Sequence, residues 1–252
     1  MSKHLADRTE APGRDSGSGP LAAARFALYF APRRWSALAR FGNAWLGRDA
    51  QSGEAVPRLA LDGIPAARLE EITAEPRRYG WHATLKPPFH LAPDTTLGDL
   101  VAHAMAFAAA RLPFEVPALE LGSLGGFLAL LPSRAPPLLA GLAEDCVRAF
   151  DGFRASSGRG GPLPERTRRL SPQQAALLAR WGYPYVMEAF RFHMTLTLPL
   201  AVEERARVAA ALVAHLARLL ARPVAVDAVS LFVEPAPGQP FRELRRFPFE
   251  GA

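Results

Sequence analysis

The sequence predicts an α+β protein built from two pseudo-symmetric lobes, and two observations support this prediction. Strand patterns alternate with helix patterns in two similar passes along the chain. Each pass contains one His-x-Thr-Leu motif, at His82 and at His193, within a run of alternating apolar residues. The length of 252 residues is sufficient for one large domain or two lobes. We expect a flexible tail over residues 1–24 and a single bilobal domain over residues 25–252, with lobes at about 25–124 and 125–252.

The first pass begins with an alternating pattern, "RFALYFAP", which predicts a strand from about Arg25. A helix is predicted next for "RRWSALARFGNAWLG", whose apolar side chains recur at helical spacing. A short helix that ends before Pro76 is predicted for "PAARLEEITAEP". The first motif strand is followed by a helix that Asp94 or Thr95 would cap, and then by a strand in "FEVPALELGS".

The second pass repeats this order. A strand is predicted for "GGFLALLPS" and a helix for "PPLLAGLAEDCVRAF". The next helix has clear end signals, because Ser171 and Gln174 form a capping box and Gly182 can end it. The second motif strand, a long helix and two closing strands follow, in "PVAVDAVSLFVEP" and "FRELRRFPFE". Residues 152–170 are rich in Gly, Ser, Pro and Arg and predict either a flap over an active site or a surface insertion.

Composition limits the classes of protein. The net charge is +6, and it comes almost entirely from arginine, since Lys3 and Lys86 are the only lysines. This charge either attracts an anionic substrate or RNA, or serves solubility in general. A single cysteine, Cys146, excludes an intramolecular disulfide. With no signal-peptide pattern and no apolar run long enough to span a membrane, we expect a cytoplasmic monomer.

The two motifs place similar groups on one strand face. Alternation puts His82, Thr84 and Lys86 together in the first motif. In the second motif it puts these residues together: Arg191, His193, Thr195 and Thr197. Either motif alone is short and unspecific, but two of them on matching faces favour a function.

A pair of histidines suits acid–base cleavage of a phosphodiester. An imidazole pKa near 6.5 allows one ring to be neutral and the other protonated. The neutral ring would remove a proton and the protonated ring would supply one to the leaving oxygen. The hydroxyls of Thr84 and Thr195 would donate to phosphate oxygens, and Lys86 and Arg191 would add positive charge. A metal site is less favoured, because neither motif face carries Asp or Glu and His90 is the only other nearby ligand.

Several longer blocks resemble a known group of proteins. With "RFALYFAP", "RRYGWHATLKPPF", "LARWGYPYV" and "FRFHMTLT", the chain is similar to the 2H phosphoesterase superfamily. Within it, the chain looks most like an uncharacterised bacterial family whose genes often lie beside phosphonate-degradation genes. The resemblance covers nearly all of the sequence from Arg25 onward.

The resemblance implies a cleft between two antiparallel sheets, no metal or other cofactor, and a catalytic set of His82, Thr84, His193 and Thr195. It also implies a substrate, since carbon–phosphorus lyase pathways produce a ribose 1,2-cyclic phosphate. Alternation leaves Arg25 and Tyr29 facing away from the core. If their strand borders the motif strands, Tyr29 would either stack on a sugar or base or be an ordinary exposed tyrosine.

Three functions remain open at this point. The leading hypothesis is a metal-independent phosphodiesterase that acts on a small cyclic or ribose-linked phosphate. The second is an RNA 2′,5′-ligase or cyclic phosphodiesterase acting on RNA ends, which would need a basic track for RNA. The third is a non-catalytic protein that binds a phosphorylated sugar. Pseudo-symmetry leaves open which histidine is the base and which is the acid.

Overall fold

The computed structural model describes residues 23–156 and 170–251, so most of the predicted insertion, including any flap, lies outside the described residues. The helices are α1 (Ala37–Leu46), α2 (Ala66–Ile72), α3 (Ala74–Tyr79), α4 (Leu97–Ala109), α5 (Pro137–Ala149), α6 (Pro172–Trp181) and α7 (Val202–Leu216). The strands are β1 (Arg25–Phe30), β2 (Ala83–Phe89), β3 (Phe114–Val116), β4 (Leu119–Leu124), β5 (Phe127–Pro132), β6 (Met194–Thr195), β7 (Val224–Val226), β8 (Ala228–Glu234) and β9 (Arg242–Pro248). Within the two ranges, no helix is long and apolar enough to cross a membrane.

The larger sheet has the antiparallel order β2-β1-β8-β9, so it joins the first strands of the chain to the last two. A second antiparallel sheet has the order β4-β5-β6, and β3 pairs with β7 in a small ribbon. The predicted α+β class with antiparallel sheets is therefore confirmed. The sheets do not follow the expected lobe boundary at residues 124 and 125, because β4 joins the second sheet while β8 and β9 complete the first.

The two faces of β1 bury different sets of side chains. Phe26, Leu28 and Phe30 lie in the main hydrophobic core. Ala27 and Tyr29 point to the other face, where a smaller cluster includes Phe232 and Phe241. The alternation read from the sequence therefore gives the correct face for each residue of this strand.

Capping signals in the sequence were tested at two helices. Ser171 and Gln174 form the predicted capping box of α6, and Gly182 ends that helix in the left-handed region at φ 74°. The prediction for α4 was wrong by one or two residues, since Thr96 is the cap. Its hydroxyl accepts from the Asp99 backbone N–H, and the Asp99 carboxylate accepts in return from the Thr96 backbone N–H.

Three predicted elements are divided differently in the structure. The helix expected to end before Pro76 is two helices, and Pro76 lies in the first turn of α3, where a missing N–H costs nothing. "FEVPALELGS" forms two strands, β3 and β4, with Pro117 between them. Similarly, β7 and β8 separate at Asp227, whose carboxylate binds Arg33 and Arg246.

Hydrogen bonds across the molecule fix the second motif strand against helices of the first half. The Trp45 indole N–H of α1 donates to the Leu196 carbonyl at 2.8 Å. The Leu198 backbone N–H donates to the Ile72 carbonyl of α2, also at 2.8 Å. The chain leaves the second sheet after only two ladder residues in β6. The strand predicted for the second motif is therefore much shorter than expected.

Candidate active site

The first motif lies at the start of β2, directly after a backbone turn that glycine makes possible. Gly80 has φ 80°, and a Cβ there would lie 2.5 Å from the Cβ of Ala50. Its carbonyl accepts a 2.8 Å hydrogen bond from Nδ1 of His82. Because a carbonyl can only accept, Nδ1 carries the proton, and Nε2 of the neutral ring keeps its lone pair. The Thr84 hydroxyl lies 3.3 Å from that Nε2.

Tyr29 of β1 supports the His82 ring from the neighbouring strand. Tyr29 is opposite Thr84 in the register, and the two rings of Tyr29 and His82 stack at 3.8 Å with an angle of 25°. Tyr29 is 1% exposed, and burial raises the pKa of its hydroxyl well above its ordinary value. The structure therefore places Tyr29 against the imidazole, buried away from the surface where a sugar or base could stack on it.

The second motif repeats this arrangement on the other sheet. Nδ1 of His193 donates to the Arg191 carbonyl at 2.7 Å, again two residues earlier in the chain. Phe127 of the neighbouring strand β5 packs against the His193 ring at 5.7 Å. Thr195 pairs with Ala129 and is partly exposed. Both histidines thus use Nδ1 to bind the backbone carbonyl two residues earlier.

The two histidines act on one another. Burial, and to a smaller extent the charge of His193, lower the pKa of His82 to about 4, against the hydrogen bond that Nδ1 donates to the Gly80 carbonyl. His193 is therefore close enough to His82 for its charge to be felt there. Across residues 23–156 and 170–251, no group of three or more His, Cys, Asp or Glu side chains is placed to hold a metal ion.

Two other predicted site residues, Thr197 and Arg191, hydrogen-bond to backbone groups. The Thr197 hydroxyl is 1% exposed and accepts from the Leu128 backbone N–H at 3.0 Å, so it extends the pairing of β5 and β6. The exposed Arg191 guanidinium donates to the carbonyls of Glu188 and Phe190. It remains beside His193 in the chain, whereas Thr197 is turned away from solvent.

Lys86 is also removed from the motif face, and a β-bulge is the cause. Thr84 is opposite Tyr29, but Lys86 is opposite Leu28, with Leu85 as the extra residue. Lys86 is 2% exposed, and its ammonium donates to the Val147 carbonyl at 3.2 Å and lies 3.5 Å from Asp151. Strict alternation therefore fails at this residue.

The Lys86→Met substitution is expected to alter the pH dependence of stability and to leave kcat/KM within about twofold. Burial lowers the pKa of Lys86 to about 8, with Asp151 opposing, whereas the unfolded chain keeps the ordinary value of about 10.5. Between these values only the unfolded state binds the proton, so the wild type gains stability as pH rises from 8 to 10.5. The gain, at most ~3 kcal/mol, should be missing in the variant.

Urea denaturation of both proteins at pH 7.5, 9 and 10.5 measures this difference. Asp151 keeps Arg154 as a partner at 2.8 Å, so the variant leaves no isolated carboxylate. A loss of substrate affinity with an unchanged stability profile would instead place Lys86 in the substrate site.

Four residues near the histidines were not identified from the sequence. They are Arg78, Tyr79, Phe127 and Glu234. Arg78 and Tyr79 come directly before Gly80, so their position beside the first motif was a usable signal. Glu234 and Phe127 reach the site only through strand pairing, β8 with β1 and β5 with β6, which no local pattern specifies.

Comparisons with known proteins identify the family. A family model described as a protein of unknown function (DUF1045) matches residues 84–242, beginning two residues after His82 and including the second motif. The chain is 40% identical over 231 residues to ribose 1,5-bisphosphate phosphokinase PhnN of Janthinobacterium sp. (strain Marseille), covering 90% of this chain and 51% of that protein. It is 39% identical over 223 residues to the protein of the same name from Laribacter hongkongensis (strain HLHK9), covering 88% and 51%. The chain thus spans about half the length of the curated relatives it matches.

Solved structures give weaker similarities. E. coli LigT in complex with 3′-AMP aligns with 14% identity and a TM-score of 0.39, covering 89% of this chain and 97% of LigT. A crystal structure of a phosphoesterase aligns with the same identity and score, covering 90% and 98%. Identities and TM-scores this low transfer no property to this chain. The family match covers more than half of the chain and agrees with the resemblance read from the sequence blocks, and the protein accordingly belongs to the family of unknown function DUF1045.

Proposed function

We propose that this protein is a metal-independent phosphodiesterase in which two histidines perform acid–base catalysis. One observation carries the proposal. Two histidines, His82 and His193, come directly before strands of different sheets and share the same local geometry. In each, Nδ1 donates to the carbonyl two residues earlier, and a threonine follows two residues later. Each also packs against an aromatic ring from the adjacent strand, and the two are electrostatically coupled.

The structure supports a division of roles between the two rings. The pKa of about 4 keeps His82 neutral near pH 7, with the lone pair on Nε2, so His82 is the base. His193 is then the acid that supplies a proton from its Nε2. In this proposal the hydroxyls of Thr84 and Thr195 donate to the non-bridging oxygens of the bound phosphate, where negative charge develops.

The proposed hydrolysis needs only the two histidines and one water molecule. His82 Nε2 takes a proton from the water while the water oxygen bonds to phosphorus. The bond from phosphorus to the sugar oxygen breaks, and the proton of His193 Nε2 goes to that oxygen. Proton exchange with solvent returns both rings to their starting states.

The substrate class that we propose is a ribose 1,2-cyclic phosphate. The curated relatives are named for a kinase of ribose 1,5-bisphosphate, and this chain spans only half of their length. Neither lysine of the sequence follows a glycine, so the Gly-Lys-Ser/Thr signature of a P-loop does not occur in it. Opening the 1,2-cyclic ester of a ribose 5-phosphate at the 2-oxygen gives ribose 1,5-bisphosphate. The chain would thus supply the compound after which its relatives are named, in keeping with a role in phosphonate catabolism.

Turnover on a small panel, with and without EDTA, tests the proposal. The panel holds ribose 1,2-cyclic phosphate, its 5-phosphate, a nucleoside 2′,3′-cyclic phosphate and a 2′,5′-linked dinucleotide. We expect EDTA-resistant hydrolysis with a preference for the ribose 1,2-cyclic esters. A preference for the dinucleotide would favour an RNA role, and activity that EDTA abolishes would contradict the mechanism.

A further inference from the structure

Beyond the two histidines, a pair of arginines contacts one buried carboxylate at the start of β1. Glu234 is fully buried, and its carboxylate accepts from Arg25 Nε at 2.5 Å and from Arg78 Nη2 at 2.7 Å. The Gly238 backbone N–H also donates to it at 3.1 Å. Arg25 and Glu234 face each other in the register of β1 and β8, while Arg78 comes from α3.

The cluster carries more positive charge and more donors than Glu234 can satisfy. Two guanidinium groups face one carboxylate, which leaves one net positive charge. Each guanidinium has five N–H donors, and each gives only one to Glu234. Among the described residues, Nε of Arg78 is buried without a hydrogen-bond partner. The two side chains stay 22% and 35% exposed, so an anion from solvent can reach them.

Aromatic rings connect this cluster to the catalytic centre. The Tyr79 ring lies 6.2 Å from the His82 ring and 5.2 Å from the Arg78 guanidinium carbon. Phe241 stacks on Tyr79 at 5.1 Å, and Arg25 lies over Phe241 at 5.6 Å. A single ring, Tyr79, thus separates His82 from Arg78. Arg25 also shares the face of β1 with Tyr29, which stacks on His82.

We propose that Arg25 and Arg78 bind a second phosphate group carried by the same sugar whose cyclic ester lies between the histidines. The inference rests on the proposed function and adds to it the recognition of a remote phosphate. Planar guanidinium groups match phosphate oxygens in pairs and form charge-assisted hydrogen bonds with them. Glu234 fixes both side chains in place without neutralising them, and Tyr79 forms a wall against which the sugar packs.

A comparison of two substrates isolates this subsite. The quantity measured is the ratio of two kcat/KM values of the wild type: that for ribose 1,2-cyclic phosphate carrying a 5-phosphate over that for ribose 1,2-cyclic phosphate itself. We expect a ratio of about 10- to 100-fold, which is the usual effect of hydrogen bonds to a charged group. In Arg78→Gln the ratio should fall to near one. Arg78→Lys, which keeps the charge but loses the planar fork, should give an intermediate ratio.

Arg148→Gln is the matched control, because Arg148 is an exposed arginine of α5 that pairs with Glu144. It should keep the ratio of the wild type. Equal turnover of both substrates by the wild type would overturn the subsite and leave the phosphodiesterase proposal standing.

If the wild type hydrolyses neither compound, the proposed function fails, and binding decides the subsite separately. Calorimetric titration with ribose 5-phosphate, and with ribose as the uncharged comparison, then measures recognition of the phosphate alone. Tighter binding of ribose 5-phosphate that Arg78→Gln weakens would support the subsite. Binding equal in the two proteins would overturn it.

Discussion

Either single substitution, His82→Gln or His193→Gln, is expected to lower kcat on the preferred cyclic phosphate by about 10²- to 10⁴-fold, because each removes one proton-transfer group. Glutamine can still donate to the carbonyl two residues earlier, so the local backbone should be kept. The double variant should be little slower than either single one, since groups that act as a unit lose their effect together. Steady-state kinetics of the three variants measures these values.

The pH dependence tests the assignment of His82 as the base. In the wild type, kcat/KM should fall as pH decreases through the pKa of His82, which burial and His193 lower to about 4, because protonation removes the base. This acidic limb should be absent from the residual activity of His82→Gln. His215→Gln changes an exposed histidine in the last turn of α7 and should behave as the wild type. Wild-type kcat in His82→Gln or in His193→Gln would exclude the mechanism.

The local parts of this structure could be predicted from the sequence, because short-range chemistry determines them. The capping box at Ser171 and the left-handed end at Gly182 depend on neighbours a few residues away. The alternation along β1 correctly separated Phe26 and Leu28 from Tyr29. The two histidine motifs became candidates because the same pattern occurred twice.

The parts that failed depend on contacts between distant segments. A bulge at Leu85 cannot be read from β2 alone, since it exists only in the pairing with β1, and it moved Lys86 away from the motif face. The return of β8 and β9 to the first sheet placed Glu234 beside Arg25, and no local pattern specifies that pairing. The two motifs of the candidate site could therefore be predicted from the sequence, whereas the residues around them depend on how distant strands pair.

The residue before His82, Trp81, makes a close approach to α1. Gly42 lies against the face of the Trp81 indole, and a Cβ at Gly42 would be 2.0 Å from Trp81 Cγ. Trp81 is 3% exposed, and its Nε1 has no hydrogen-bond partner among the described residues. Packing against Gly42 and Phe41 therefore holds the indole in place.

Gly42→Ala is expected to reduce the free energy of unfolding by about 2 to 3 kcal/mol, because neither the helix backbone nor the buried indole can move without disturbing its neighbours. Gly141→Ala is a control with the opposite expected sign. Gly141 lies inside α5 with open space at the position of a Cβ, so alanine there should stabilise the helix by about 0.5 to 1 kcal/mol. Urea denaturation of the two variants measures both changes.

The kcat of the folded variants tests whether packing of Trp81 positions His82. Trp81 precedes His82, so an indole displaced by the added methyl group in the Gly42→Ala variant would shift the imidazole from the Gly80 carbonyl and from the Tyr29 ring. We expect kcat to fall in Gly42→Ala at temperatures where it stays folded, and to be unchanged in Gly141→Ala. A destabilised Gly42→Ala protein with wild-type kcat would mean that Trp81 supports the fold without positioning His82. Equal stability of the two variants would show that the contact with Gly42 is not as close as 2.0 Å.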